Sequence, residues 1–116
     1  MRGLAWIPLM ASVLFAAGPS MSWITALGGS VTRDRAGRIT GVDLGASWVT
    51  DSDLPNLAGQ ASLTKLDLSM TRITDRGLLE LRPLSNLADV NFYYAETVTD
   101  QGLAVLKSWK HLKRLD

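Results

Sequence analysis

A chain of 116 residues with 47% hydrophobic and 20% charged residues makes one small globular domain, too short for two cores and too apolar for a disordered segment. Its formal net charge is +1 and falls to zero without the first segment, which carries Arg2; that balance excludes the basic surface of a nucleic-acid binder. With no cysteine, a disulfide framework, a thiolate metal site and a cysteine nucleophile are excluded as well.

From Gly3 to Thr32 the sequence carries no charge. Arg2 precedes an apolar run, Leu4 to Ala17, and the small residues Ala16, Ala17, Gly18 and Ser20 follow, the pattern of an export signal with its cleavage zone. The run before Gly18 and Pro19 is shorter than the ~20 residues of a spanning helix. Reading on through Trp23, Ile24 and Leu27 restores that length at the cost of crossing Gly18 and Pro19. Residues 1–19 are therefore read as a signal peptide, with an uncleaved membrane anchor or a true start at Met21 as the other readings. The expected location is outside the cytoplasm: periplasmic, extracellular or membrane-anchored.

The next stretch, SMSWITALGG, predicts one short helix capped by Ser20 or Ser22 and stopped by Gly28 or Gly29. Trp23, Ile24 and Leu27 fall on one side of it, with Trp23 in the core. RDRAG, Arg33 to Gly37, is a turn between a short strand around Val31 and a strand beginning at Ile39. Residues 20–38 are expected to form an N-terminal cap, because the first strand of a stack needs a cover.

Repeats follow. Ile39, Leu63, Leu87 and Leu112 open successive units separated by 24, 24 and 25 residues, giving units 39–62, 63–86, 87–111 and a partial 112–116. Within Leu63 to Asn86, LTKLDLSMTRITDRGLLELRPLSN, alternation puts Leu66 and Leu68 on one face of a strand, and Leu78, Leu81 and Leu84 form a helical stripe. The corner recurs as WVTDSDL (Trp48 to Leu54), RITDRGL (Arg72 to Leu78) and TVTDQGL (Thr97 to Leu103). Each Thr-Asp pair marks a helix start, so Asp51, Asp75 and Asp100 are read as capping groups rather than catalytic acids. Leu112 and Leu115 open a fourth strand that Asp116 ends before a helix covers it. That ending reads as a fragment, a truncated product or an end covered by a partner.

The pattern LxxLDLSxTxITDxGLxxLxxLxxL resembles the ribonuclease-inhibitor-like, cysteine-containing subtype of leucine-rich repeat, and above all short exported bacterial proteins built from ITDxGL units. The resemblance covers roughly Trp23 to Asp116. It implies an α/β fold, a leucine-rich-repeat solenoid with parallel strands on a concave face and short helices on the convex one. It is specific for fold and nearly silent on function. The inward position usually held by cysteine or asparagine carries Ser47, Thr71 and Ala95 here, so that buried ladder is made by hydroxyls or lost. The third unit carries one extra residue in YYAET. Similar eukaryotic repeats sit behind an F-box and present substrates for ubiquitination, but no F-box-like segment precedes these.

In such a fold the residues between buried leucines form ladders across the exposed sheet face: Gly41, Lys65, Asp89 and Arg114; Asp43, Asp67, Asn91 and Asp116; Gly45, Ser69 and Tyr93. A calcium site at Asp43, Asp67 and Asn91 is weighed and set aside, because no glycine-bearing calcium loop accompanies them. Tyr93 and Tyr94 leave the third strand beside Met70, and Trp48 holds the place that Arg72 fills one unit later. Aromatic residues and arginine are the commonest interface anchors, while a stack of Trp48 on Arg72 is the alternative use. Trp109 replaces Leu84 and is read as core. Lys107, Lys110, His111, Lys113 and Arg114 form a basic cluster best explained as a solvated helix end. No P-loop, GxGxxG or HExxH segment occurs, and nothing assembles a nucleophile, a base, a metal or a cofactor site.

The expected function is non-catalytic recognition of a protein partner through the concave face, by Trp48, Lys65, Asp67, Met70, Asp89, Asn91, Tyr93 and Tyr94, with membrane contact only through an N-terminal anchor. An intracellular adaptor like the F-box repeat proteins, or the N-terminal part of a longer structural solenoid, are the alternatives.

Overall fold

The computed structural model describes residues 21–116; the export or anchor segment read at 1–19, and Ser20, lie outside the described residues. Among those described, no helix is long and apolar enough to cross a membrane. The chain is mixed α/β, with a five-stranded, mostly parallel sheet in the order β1-β2-β3-β4-β5 and short helices between the strands.

The first helix, α1 (Ser22–Ala26), begins after Met21, whose side chain makes no capping bond. Ser22 is thus the first helical residue and not the cap expected. The stop is as expected and has a clear cause. Gly28 takes a left-handed φ of 98°, its N–H donates to Thr25 O at 3.0 Å, and Gly29 N donates to Ile24 O at 2.8 Å, a Schellman ending. Ile24 is fully buried, while Trp23 is only partly buried and packs against the edge of the core.

β1 (Ser30–Arg33) and β2 (Ile39–Asp43) form an antiparallel pair. Asp34 builds the turn between them: its Oδ1 accepts from Ala36 N and Arg38 N, and its Oδ2 from Arg38 Nε at 2.8 Å. From β2 onward every pairing is parallel, through β3 (Lys65–Asp67), β4 (Asp89–Asn91) and β5 (Arg114–Leu115). The registers are Gly41, Lys65, Asp89 and Arg114 in one row, and Val42, Leu66, Val90 and Leu115 in the next. Alternation then separates the faces: Val42, Leu44, Leu66, Leu68, Val90 and Phe92 are buried, and the rows of Lys65 and Asp67 lie on the other side.

Each parallel connection carries a helical segment. The first is a 3-10 helix, Asp51–Leu57, with Pro55 inside it; a proline has no N–H for an α-helical bond. The second is α2 (Asp75–Leu79) and the third is α3 (Asp100–Leu103), which tightens into a 3-10 turn, Ala104–Ser108. These segments pack side by side in the order of the strands. Leu54, Leu57, Leu78, Leu81, Leu84, Val105 and Trp109 fill the space below the sheet. Trp109 is core, with its Nε1 donating to Leu81 O at 3.1 Å and its ring stacked on Phe92.

The units are joined by an aspartate. Thr74 begins α2, and its Oγ1 accepts from Arg76 N. Its own N–H and hydroxyl both donate to Asp51 of the preceding unit, at 2.7 and 2.5 Å. The same pair of bonds runs from Thr99 N, at 2.7 Å, and Thr99 Oγ1 to Asp75. Asp51 and Asp75 therefore cap the following unit's threonine rather than their own helix, which corrects the reading from spacing alone. The glycine of the motif makes room for that carboxylate. A methyl on Gly77 would press on Asp51 Oδ1 and stand 2.8 Å from Leu54 Cδ1, and one on Gly102 would press on Asp75.

The first unit has Asp53 where the later ones have Gly77 and Gly102, and the reason is visible. With no preceding aspartate against Thr50, Asp53 Oδ2 accepts from Thr50 N at 2.9 Å and from Thr50 Oγ1 at 3.1 Å. The bond pattern made between units elsewhere is made within the unit here.

Of the two outcomes expected at Ser47, Thr71 and Ala95, a ladder of hydroxyls or its loss, the structure has the loss. Thr71 Oγ1 donates to Leu68 O and Ser47 Oγ accepts from Val49 N, each inside its own unit, and Ala95 has no side-chain polar group. Other hydroxyls and an amide bridge the units instead, as Thr64 Oγ1 to Thr40 O at 3.2 Å, Thr97 Oγ1 to Ile73 O, and Asn86 Nδ2 to Ala61 O at 2.8 Å.

The bond from the Thr99 hydroxyl, then that from its N–H, holds the Asp75 carboxyl below its ordinary 3.8. A depressed carboxyl stabilises the folded state above the unfolded value and loses that contribution as pH falls through the folded one. Asp75→Asn is expected to lower urea resistance by a constant amount at neutral pH, with the gap from the parent closing below pH 3.8. Equilibrium unfolding between neutral pH and the acid limb measures it; a gap that does not change with pH contradicts it.

Candidate functional site

β2, β3 and β4 leave the sheet through the same turn, and the last side chain of each strand organises it. Asp43 Oδ1 accepts from Gly45 N at 2.9 Å, Asp67 Oδ1 from Ser69 N at 2.9 Å, and Asn91 Oδ1 from Tyr93 N at 2.8 Å. These are Asx turns, the use to which short polar side chains are suited at chain reversals. Asp67 Oδ1 also accepts from the Ser69 hydroxyl at 2.6 Å, in space that Gly45 leaves open, since a Cβ there would stand 2.9 Å from Ser69 Oγ. Asp67 and Asn91, read from the sequence as partner-binding groups, thus spend an oxygen each on folding their own turns. The carboxylate row set aside as a calcium site consists of those same turn-forming side chains; among the described residues no three His, Cys, Asp or Glu groups converge for a metal.

The next residue of each turn is left-handed. Ala46, Met70 and Tyr94 have φ of 54°, 52° and 56°, a conformation that costs an L-residue roughly 1–2 kcal/mol and normally selects glycine or asparagine. Hydrogen bonding supplies the cause. In that conformation Ala46 N donates to Ser69 O at 2.9 Å and Met70 N to Tyr93 O at 2.7 Å, so the parallel ladder continues past the strand ends into the turns. A long side chain on such a residue projects from a backbone fixed on both sides.

The result is a ridge along the ends of the strands. Trp48 is 81% exposed, Met70 54%, Tyr93 59% and Tyr94 61%, so four of the six exposed large hydrophobics of the described chain lie here. Tyr93 and Tyr94 pack ring on ring at 4.5 Å. Among the described residues Trp48 stacks on no other ring, and Arg72 belongs to neither ion pair, Arg38–Asp34 or Arg114–Asp116. Two shallow depressions run along the ridge. One is lined by Ala46, Ser47, Trp48, Met70 and Arg72, the other by Met70, Arg72, Tyr94, Glu96 and Thr97.

The structure therefore brings together four of the eight predicted site residues, Trp48, Met70, Tyr93 and Tyr94, and adds Arg72 and Glu96, which spacing alone did not single out. Lys65 is exposed on β3 and Asp89 half-buried beside it on β4, on the open sheet face. Of the basic cluster, Arg114 pairs with Asp116 at 3.4 Å, and Lys107, Lys110, His111 and Lys113 are exposed at the last connection. No protein-family model matches the chain, and no curated protein is significantly similar to it.

The two roles of the exposed-face residues can be separated. Asp67→Ala removes two acceptor bonds to Ser69 and is expected to cost about 1–3 kcal/mol. Lys65→Ala, two residues away on the same face of β3 and with no side-chain hydrogen bond, is expected to stay within about 0.5 kcal/mol of the parent. Urea titrations of the two variants measure this; equal costs would mean that Asp67 does not hold the turn.

Proposed function

We propose that the chain is a short leucine-rich-repeat solenoid of the ribonuclease-inhibitor-like type, acting as a non-catalytic recognition module for a protein partner. The observation that carries this reading is the row of exposed Trp48, Met70, Tyr93 and Tyr94 on consecutive units, set on turns whose backbone is held by Asx bonds and by the extended ladder. A contiguous apolar ridge on a small domain is costly in water and typical of contact surfaces. Its immobile backbone lowers the entropy lost on binding. Lys65 and Asp89, on the adjoining sheet face, set charge complementarity at the margin.

The repeat architecture explains why Met70 and Tyr94 occupy equivalent places in neighbouring turns. Units of 24 residues, locked by Asp51–Thr74 and Asp75–Thr99, place equivalent side chains about 4.8 Å apart, the spacing of neighbouring strands. A partner thus meets a periodic row, with the apolar groups at its centre and charge around them, the usual anatomy of a protein interface. We place this contact outside the cytoplasm, on the strength of the export-like sequence before Met21.

A photo-crosslinking side chain at position 48 or 94 is expected to capture a partner that one at Leu79, also exposed but on the helical side, does not. Tyr93→Ala with Tyr94→Ala should weaken that complex at least about tenfold, as for loss of interface anchors, with the unfolding midpoint unchanged. Equal capture from all three positions, or unchanged affinity, contradicts the assignment.

A further inference from the structure

We propose that the ridge's partner is a second copy of this chain, docked about a two-fold axis that passes between the second and third units. The inference rests on reading the ridge as a recognition surface and names what covers it. Its basis is the self-complementarity of one depression, which holds Met70 and Arg72 from the second unit beside Tyr94 and Glu96 from the third.

A two-fold axis reverses the order of the units in the facing copy, so the second unit of one copy faces the third unit of the other. Met70 then packs on the other copy's Tyr94, a thioether against an aromatic ring, a favourable pairing. Arg72 meets Glu96 of the other copy, and the symmetry makes the contact twice. Both groups are exposed and belong to neither ion pair of the described chain, so the charges are free to serve across the interface. Shifting the axis by half a unit, onto the second unit, would set Arg72 against Arg72 and Met70 against Met70. Like charges in contact disfavour that register, so the charges choose the axis as well as the partner.

The fold also restricts the alternatives between copies. Head-to-tail stacking would need the first unit's threonine free to bind an aspartate of another copy, and Thr50 is already bound by Asp53. Beyond β2 the sheet continues into the antiparallel strand β1, so the parallel stacking of units does not extend on that side. Only a closed, isologous contact uses the ridge.

Sedimentation equilibrium of the chain from Met21 onward, across a thousandfold range of protein concentration, reads the association directly. A monomer–dimer equilibrium is expected. Arg72→Glu alone and Glu96→Arg alone should each weaken the dimer at least about tenfold, as for a like charge placed at a contact. An equimolar mixture of those two variants should recover a dimer, because each heterodimer then pairs an acid with a base at both symmetric positions. Met70→Ala tests the apolar half of the contact and is also expected to weaken it. A chain that stays monomeric throughout, a dimer insensitive to Glu96→Arg, or single variants that fail to complement each other overturns the proposal. A monomer that still captures another protein at positions 48 and 94, lost with Tyr93→Ala and Tyr94→Ala, overturns the dimer alone and leaves the recognition surface standing.

Discussion

A carboxylate of one unit, bound by the N–H and the hydroxyl of the threonine that starts the next unit's helix, is the contact on which the rest of the chain depends. Asp51 makes it to Thr74 and Asp75 makes it to Thr99. It answers two demands together. The first N–H groups of a helix have no partner within it, and short units that cannot bury a core alone need a specific lock to their neighbours. Charge-assisted bonds are about twice as strong as neutral ones, and this lock uses two at once. It also fixes the composition of the motif: threonine to offer both donors, aspartate to receive them, and glycine because the carboxylate lies where a Cβ would be. A glycine inside a helix costs roughly 1 kcal/mol relative to alanine, so its presence at Gly77 and Gly102 shows that the clamp outweighs helix propensity.

The strand ends show the same logic. An Asx bond holds each turn within its unit, a backbone bond to the next unit also holds the first two, and the residue that follows is left-handed in all three, at Ala46, Met70 and Tyr94. The helical clamp and the turn lock lie at the two ends of one short corner, seven or eight residues of chain between strand and helix. Little of that corner is left to move. What projects from it, Trp48 and Arg72 on one side and Met70, Tyr93 and Tyr94 on the other, is a set of large side chains on an immobile base. The proposed recognition function follows from that rigidity as much as from the aromatic content.

Much of the fold is legible in the residues, because period is a robust signal. The spacing of Ile39, Leu63, Leu87 and Leu112 places every parallel strand, the alternation at Leu66 and Leu68 assigns the faces, and RDRAG locates the hairpin. The predicted row Gly41, Lys65, Asp89 and Arg114 is an observed register, as are Asp43, Asp67 and Asn91 of the second row, while Gly45, Ser69 and Tyr93 lie in the turns beyond the strands. Bonding between units is harder to read, because a one-dimensional pattern does not say which neighbour a side chain reaches. Asp51 and Asp75 were legible as capping groups, yet their target is a threonine 23 or 24 residues away. Asp67 and Asn91 look like free surface groups in the sequence, and only geometry shows them turned to their own backbone. The left-handed turns at Met70 and Tyr94 are silent for a related reason: the usual marker of such a turn is glycine, and these positions carry large side chains. Arg72 and Glu96 emerge as neighbours only once the extra residue of YYAET is placed after the turn.

The central claim is that the aspartate–threonine clamp couples one unit to the next, and a double-mutant cycle on Asp51 and Thr74 tests it most directly. Stabilities of the parent, Asp51→Ala, Thr74→Ala and the double variant, from urea unfolding, yield the coupling between the two side chains. Paired partners in one bond network couple by about 0.5–3 kcal/mol, and the Thr74 Oγ1 to Asp51 Oδ2 bond at 2.5 Å places this pair in that range. Costs that simply add, within about 0.3–0.5 kcal/mol, would mean that the two side chains act independently and that the units are held together by leucine packing alone.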